Sequence, residues 1–303
     1  MPTSITARPA AAGPLVESGG RQRLADLVAL TKPKVQLLLL LTTVTAMYAA
    51  GNPSPELVLA TLLGGSLSAG GASAINHWFD RDIDADMPRT QDRPIPSGRM
   101  EPHVALWVGL WLTIASFFLL AWAANITAAL LSLAGFAWYV GVYTMWLKRR
   151  STQNIVIGGV AGAFPPMVGW AAVTGGFAVE SLYPFAIVFA WTAPHFWALS
   201  LLIKDDYAAA GVPMLPVVKG EPATHRAILV WSAITAAVSI APVVTGTFGT
   251  IYLVVAVLLA AELLRRSWLL LRDGTRARAV SLHLFALAYL AALFAAMVVD
   301  AKL

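Results

Sequence analysis

Nine long apolar runs constrain this chain more than anything else in it. They lie at about 35–51, 57–79, 103–122, 126–147, 154–173, 182–203, 226–245, 249–271 and 280–299. A helix needs roughly 20 such residues to cross the hydrocarbon core of a bilayer. Within lipid the backbone must satisfy its own hydrogen bonds, so only helices and closed barrels span it. A barrel strand alternates apolar and polar residues, and "KVQLLLLLTTVTAMYAAG" does not alternate. The expected fold is all-α: a polytopic membrane protein with nine transmembrane helices. The apolar share, 58%, exceeds that of a soluble domain of this length.

The basic residues orient that path. Of 21 Lys and Arg, all but Lys302 fall at alternate ends of nine helices. They precede the first run, then recur in the 80–102 loop, at Lys148, Arg149 and Arg150, through 204–226, and around the 265–278 turn. The positive-inside rule then predicts a cytoplasmic N-terminus and an outside C-terminus. The net charge of +5 is explained by topology, so no nucleic-acid partner is expected and the lipid bilayer is the partner surface. Residues 1–25 are rich in Ala, Pro, Gly and Ser and lack the apolar core of a secretory signal. A disordered cytoplasmic tail is expected there, with the membrane domain over 26–303. The chain has no cysteine, which excludes disulfides, thiolate nucleophiles and Cys-ligated clusters.

The loops on the outer side are short and bare, while the two long ones, about 80–102 and 204–225, share the cytoplasmic side. The first contains "NHWFDRDIDADMPRTQDRPIPSGR", with five Asp and four Arg. Asn76, Asp80 and Asp84 are spaced i, i+4, i+8, which places them in one helical stripe at the end of the second span. Carboxylates with an amide oxygen form an all-oxygen set suited to Mg²⁺, a cation commonly completed by substrate phosphates. Arg89 and Arg93 follow, and guanidinium forks match phosphate oxygens. Polar groups at the end of a membrane span are costly and tend to be functional. Asp82, Asp86 and Asp92 are read as a solvated face, and Pro94, Pro96 and Gly98 as the turn back to the third span.

The second cluster is "KDDYAAAGVPMLPVVKG". Adjacent Asp205 and Asp206 point about 100° apart on a helix, so one is free to meet a metal while the other takes a different role. Lys204 and Tyr207 are candidates for phosphate contact. Lys148 and its two neighbours divide between topogenic and phosphate-binding readings. His195, inside "FAWTAPHFWALS", divides between a ligand and a buried core histidine.

The first stretch resembles the signature of the UbiA-type intramembrane prenyltransferases, N-x₃-D-x₃-D followed by arginines and R-P. Asn76, Asp80, Asp84, Arg89 and Arg93 occupy its positions. "TQNIVIGGVAGAFPPMVGW", "PHFWALSL" and "KDDYAAAGVPMLPVV" are similar to the branch of that family that farnesylates protoheme IX, and the likeness runs from about residue 26 onward. The resemblance implies a UbiA-like bundle in the bacterial cell inner membrane and an active site open to the cytoplasm. It implies Mg²⁺ as cofactor, held by Asn76, Asp80, Asp84 and Asp206, the three aspartates being catalytic. Farnesyl diphosphate would be the donor and heme B the acceptor, giving heme O. Substrate contacts would come from Asn76, Arg89, Arg93, Lys148, Asn154, Lys204, Asp205 and Tyr207. His195, with His77 as alternative, would meet the heme iron. Heme A synthase and terminal-oxidase assembly proteins are the protein partners it implies. One departure is that Ala210 stands where a second D-x₃-D would place an aspartate. Two further readings stay open: prenyl transfer to a quinone precursor or a chlorin, and a transporter, whose charges tend instead to lie near the midplane.

Overall fold

A computed structural model describes residues 19–303. In chain order the helices are α1 (Gly20–Thr31), α2 (Pro33–Ala50), α3 (Pro55–Phe79), α4 (Arg81–Ala85), α5 (Pro102–Ala123), α6 (Ile126–Ala137), α7 (Asn154–Gly158), α8 (Val160–Thr174), α9 (Leu182–Leu202), α10 (Lys204–Ala209), α11 (Leu215–Val218), α12 (Gly220–Val244), α13 (Thr250–Asp273) and α14 (Arg276–Lys302). A π-helical segment, Trp138–Leu147, continues α6 without a break. No strand occurs among the described residues.

Among the described residues, eight helical stretches are long and apolar enough to cross a membrane. The eighth of the nine expected spans, α13, has the length but carries Glu262, Arg265, Arg266, Arg272 and Asp273 in its second half. Its charges are managed locally: Glu262 accepts from Arg265 and Arg266, and Arg266 lies over the Phe285 ring. The protein is an integral membrane protein, and its described residues hold eight spans by apolarity and nine by helix length. Most of the expected tail lies outside the described residues, but Gly20 to Ala25 are helical, the first turns of α1. The cause is visible in Asp26, which is buried and held by Arg99 and Gln22, docking α1 under the 80–102 loop.

Apolar lipid gives helices no hydrophobic reason to associate, so close packing of small residues must do it. α3 and α5 show this. A Cβ on Gly71 would stand 2.8 Å from the Gly109 carbonyl, and one on Gly109 would stand 2.8 Å from that of Gly71. Ser116 donates to the Gly64 carbonyl at 2.7 Å beside that crossing. The opposite face of α5 presents Trp107, Trp111, Ile114, Phe118 and Trp122, all exposed, as a stripe for lipid. α14 closes the bundle against α2: Lys302 donates to Gly51 O and Asn52, and Asp300 caps the start of α13 through Tyr252 N.

Candidate active site

Helix α3 ends at Phe79, and Asp80 is the joint between α3 and α4. Helical bonding continues through the joint, with Asp80 N donating to Asn76 O at 2.9 Å and Asp84 N to Asp80 O at 2.8 Å. The i, i+4, i+8 stripe therefore survives a local kink. Asn76, Asp80 and Asp84 are all buried, with Asp80 at 0% exposure and Asp84 at 1%.

A shell of cations meets them. Lys148 Nζ donates to Asp80 Oδ2. Arg93 reaches Asp84 Oδ2 at 2.5 Å. Lys32 donates to Asn76 Oδ1 at 3.1 Å, while Asn76 Nδ2 donates to Asp80 Oδ2 at 2.6 Å and to Thr144 at 3.2 Å. Arg149 grips Asp82 with two contacts of 2.6 Å, reaches Asp80 Oδ1 at 3.5 Å and stacks over Phe79. The hydrogen bonds from Arg149 to Asp82 outweigh the opposing pull of burial, and its pKa is raised. Asp82, Asp86 and Asp92 are all exposed, as expected of a solvated face, and Asp82 adds the ion pair with Arg149.

The π-helix explains how Lys148 arrives. Its i→i+5 bonding ends with Lys148 N on Tyr143 O at 2.9 Å. The wider turn sets Tyr139, Thr144 and Lys148 along one side, two of them touching the α3 stripe. π-Helical turns recur at functional sites. Asn154, fully buried, stands behind Lys148 and donates to its carbonyl at 3.4 Å.

Lys32, one of the basic residues that precede the first apolar run, stands in this shell as well. It takes a left-handed conformation, φ 49 and ψ 56, immediately before Pro33, the one non-glycine among the described residues with positive φ. Strain of this kind costs about 1–3 kcal/mol and clusters at functional sites. Burial, then the charges of Arg93 and Lys148, brings its ammonium down to about 7.

The second cluster divides. Asp206 faces the first site through Arg89, with Nε 3.7 Å from Oδ2. Tyr207 is buried beside it; burial raises its pKa while Arg89 and Arg93 pull the other way. Lys204 turns away to Glu221 at 2.5 Å, and Asp205 is exposed and lines a cleft with Lys204, Glu221 and His225. Neither pairs with Asp80 or Asp84; both lie with Glu221 and His225. Likewise no group of three or more His, Asp or Glu side chains converges on one point among the described residues, so Asp206 does not join Asp80 and Asp84 directly.

The donor set nonetheless fits a hard cation. Asp84 Oδ1 and Asn154 Oδ1 are buried oxygens without a hydrogen-bond partner. Leaving such atoms bare is costly, and oxygen is what Mg²⁺ requires. His77 is sealed at 2% exposure, whereas His195 lies in α9 stacked between Trp191 (4.3 Å) and His283 (4.5 Å).

A relative from Roseiflexus sp. (strain RS-1), named protoheme IX farnesyltransferase, is 50% identical over 296 residues, 97% of this chain and 55% of its own length. One of the same name from Gloeobacter violaceus is 49% identical over 280 residues, covering 91% of this chain and 92% of its own. The chain spans about half the length of the first curated relatives it matches. A solved structure of a UbiA homolog from Archaeoglobus fulgidus bound to DMAPP and Mg²⁺ shares the fold at a TM-score of 0.66 and 18% identity, covering 90% of this chain and 99% of that one. The buried Asn-Asp-Asp stripe lies at the end of a helix within residues 38–297, which match the UbiA prenyltransferase family, and the chain belongs to that family.

Proposed function

We propose that this chain transfers the farnesyl group of farnesyl diphosphate to a vinyl group of heme B, with water supplying a hydroxyl, to give heme O. The observation that carries the reading is the buried stripe of Asn76, Asp80 and Asp84 inside a shell of Lys32, Arg93, Lys148 and Arg149. Four cations gathered around buried oxygen donors suit a ligand of strong negative charge that arrives with a cation. Relatives about 50% identical are named protoheme IX farnesyltransferase, which supports the acceptor.

Asp80, Asp84 and Asn76 would hold Mg²⁺, with Asp206 approaching through Arg89. A divalent cation bound there supplies charge neutralisation for the leaving diphosphate. Arg93, Lys148 and Lys32 exchange their present carboxylate and amide partners for phosphate oxygens, so the diphosphate is stabilised as it departs. The allylic C1–O bond breaks with its electron pair leaving on the diphosphate. The vinyl carbon bonds to C1, water adds to the resulting cation, and one proton is lost. The bundle keeps bulk water from the allylic carbon until that bond forms.

By the positive-inside rule the site end faces the cytoplasm of the cell inner membrane. The test is incubation of membranes containing the protein with heme B, farnesyl diphosphate and Mg²⁺, with and without EDTA. Heme O detected by mass and abolished by EDTA is expected. Heme B recovered unchanged in both arms overturns the reading.

A further inference from the structure

The five histidines differ in what they can offer an iron porphyrin. His77 has both ring nitrogens buried without a partner at 2% exposure, so no macrocycle reaches it. His103 is exposed and paired with Glu101 at 3.0 Å. His225 lines the cleft of Lys204, Asp205 and Glu221, outside the bundle interior. His195 and His283 remain. They stack on one another from α9 and α14, each about 10 Å along its helix from the basic end at the 1.5 Å rise per residue.

The two are not equivalent. His283 Nδ1 lies 3.3 Å from the His195 carbonyl oxygen. A carbonyl only accepts, so this contact requires a proton on His283 Nδ1. In the neutral ring Nε2 then carries the lone pair. That is the arrangement of metal-bound histidines, whose second nitrogen donates to a carbonyl or carboxylate that fixes tautomer and ring plane. No side chain or backbone group among the described residues pairs with His283 Nε2, and that atom is not sealed from its surroundings. His195 lacks the arrangement: its Nδ1 is buried and meets nothing, and both its faces are covered, by Trp191 and by His283. Trp191 is itself fixed, donating from Nε1 to Ala286 O at 2.7 Å, one turn along α14 from His283. The stack is thereby tied to α14 at two points.

We infer that His283 is the axial ligand to the iron of the porphyrin acceptor, through Nε2, and that His195 is a positioning residue that orients it through its carbonyl and ring face. The inference rests on the heme reading of the site. It adds a ligand on the last helix, where "SLHLF" shows only a histidine and a serine in an apolar run.

The test uses the purified full chain in detergent with ferric heme B and, separately, metal-free protoporphyrin IX. Wild type should give a histidine-ligated Soret spectrum with ferric heme. His283→Gly should lose that spectrum and weaken ferric heme binding about 10–100-fold. Its affinity for metal-free protoporphyrin should stay unchanged, which also shows that the variant is folded. Added imidazole should restore the ligated spectrum in His283→Gly. His195→Phe, which keeps the carbonyl and an aromatic face, should retain ligation with a broadened or shifted band. A ligated spectrum that persists in His283→Gly without imidazole and vanishes in His195→Phe overturns the assignment. Wild type that binds neither porphyrin overturns the heme reading as well, so the two failures are distinct.

Discussion

The two acidic clusters stand at the ends of α3 and α9 and share residue types, yet their surroundings differ. Asp80 and Asp84 are at 0% and 1% exposure, each in contact with a cation. Asp205 is exposed, and Asp206 is half-buried with Arg89 at 3.7 Å. A buried carboxylate must be paired, since water no longer solvates it. An exposed one is free to have no partner at all. The contrast teaches that aspartate content does not define the site; the cations drawn from Lys32, Arg93, Lys148 and Arg149 do.

The largest effect should come from the buried pair. Asp84→Asn or Asp80→Asn should lower heme O formation about 10²–10³-fold, the scale of lost transition-state electrostatics. Rates within threefold of wild type would erase the contrast. Next, Lys148→Met leaves buried Asp80 with Asn76 and the longer 3.5 Å contact to Arg149 alone, a cost of up to about 3–5 kcal/mol. A marked fall in Tm in detergent is expected, with recovery when Asp80→Leu is added; no recovery would mean that Lys148 acts elsewhere. Asp206→Asn should raise KM for farnesyl diphosphate about tenfold, the equivalent of roughly 1.4 kcal/mol lost through Arg89. Lys204→Gln, in an exposed pair with Glu221, should change activity less than twofold, because such pairs contribute about 0–1 kcal/mol. A tenfold loss there would give the second cluster a weight that its exposure denies.

Much of this was legible in the chain. The apolar runs anticipate the long helices to within a few residues, and only α13 departs, because its second half exchanges apolarity for the Glu262 and Arg266 pairing. The Asn76–Asp80–Asp84 stripe follows from spacing alone, since a helix repeats its face every three to four residues. What spacing cannot show is contact at long range. Lys32 and Thr144 meet Asn76 across 44 and 68 residues, and His283 meets His195 across 88. The π-helix was equally hidden: "WYVGVYTMWL" reads as an ordinary apolar span, and only the packing of Thr144 and Lys148 against α3 gives the wider turn its purpose. The pairing of Lys204 with Glu221, 17 residues away, was hidden for the same reason.

The central claim is that the reaction is run by the α3–α4 carboxylates and not by the acidic residues after α9 that face solvent. It is tested most directly by measuring Mg²⁺-dependent heme O formation side by side in membranes carrying Asp84→Asn and Asp205→Asn at matched protein levels. The expected result is no product above the EDTA background for Asp84→Asn and a rate within twofold of wild type for Asp205→Asn. Equal losses in both, or activity retained in Asp84→Asn, would contradict it.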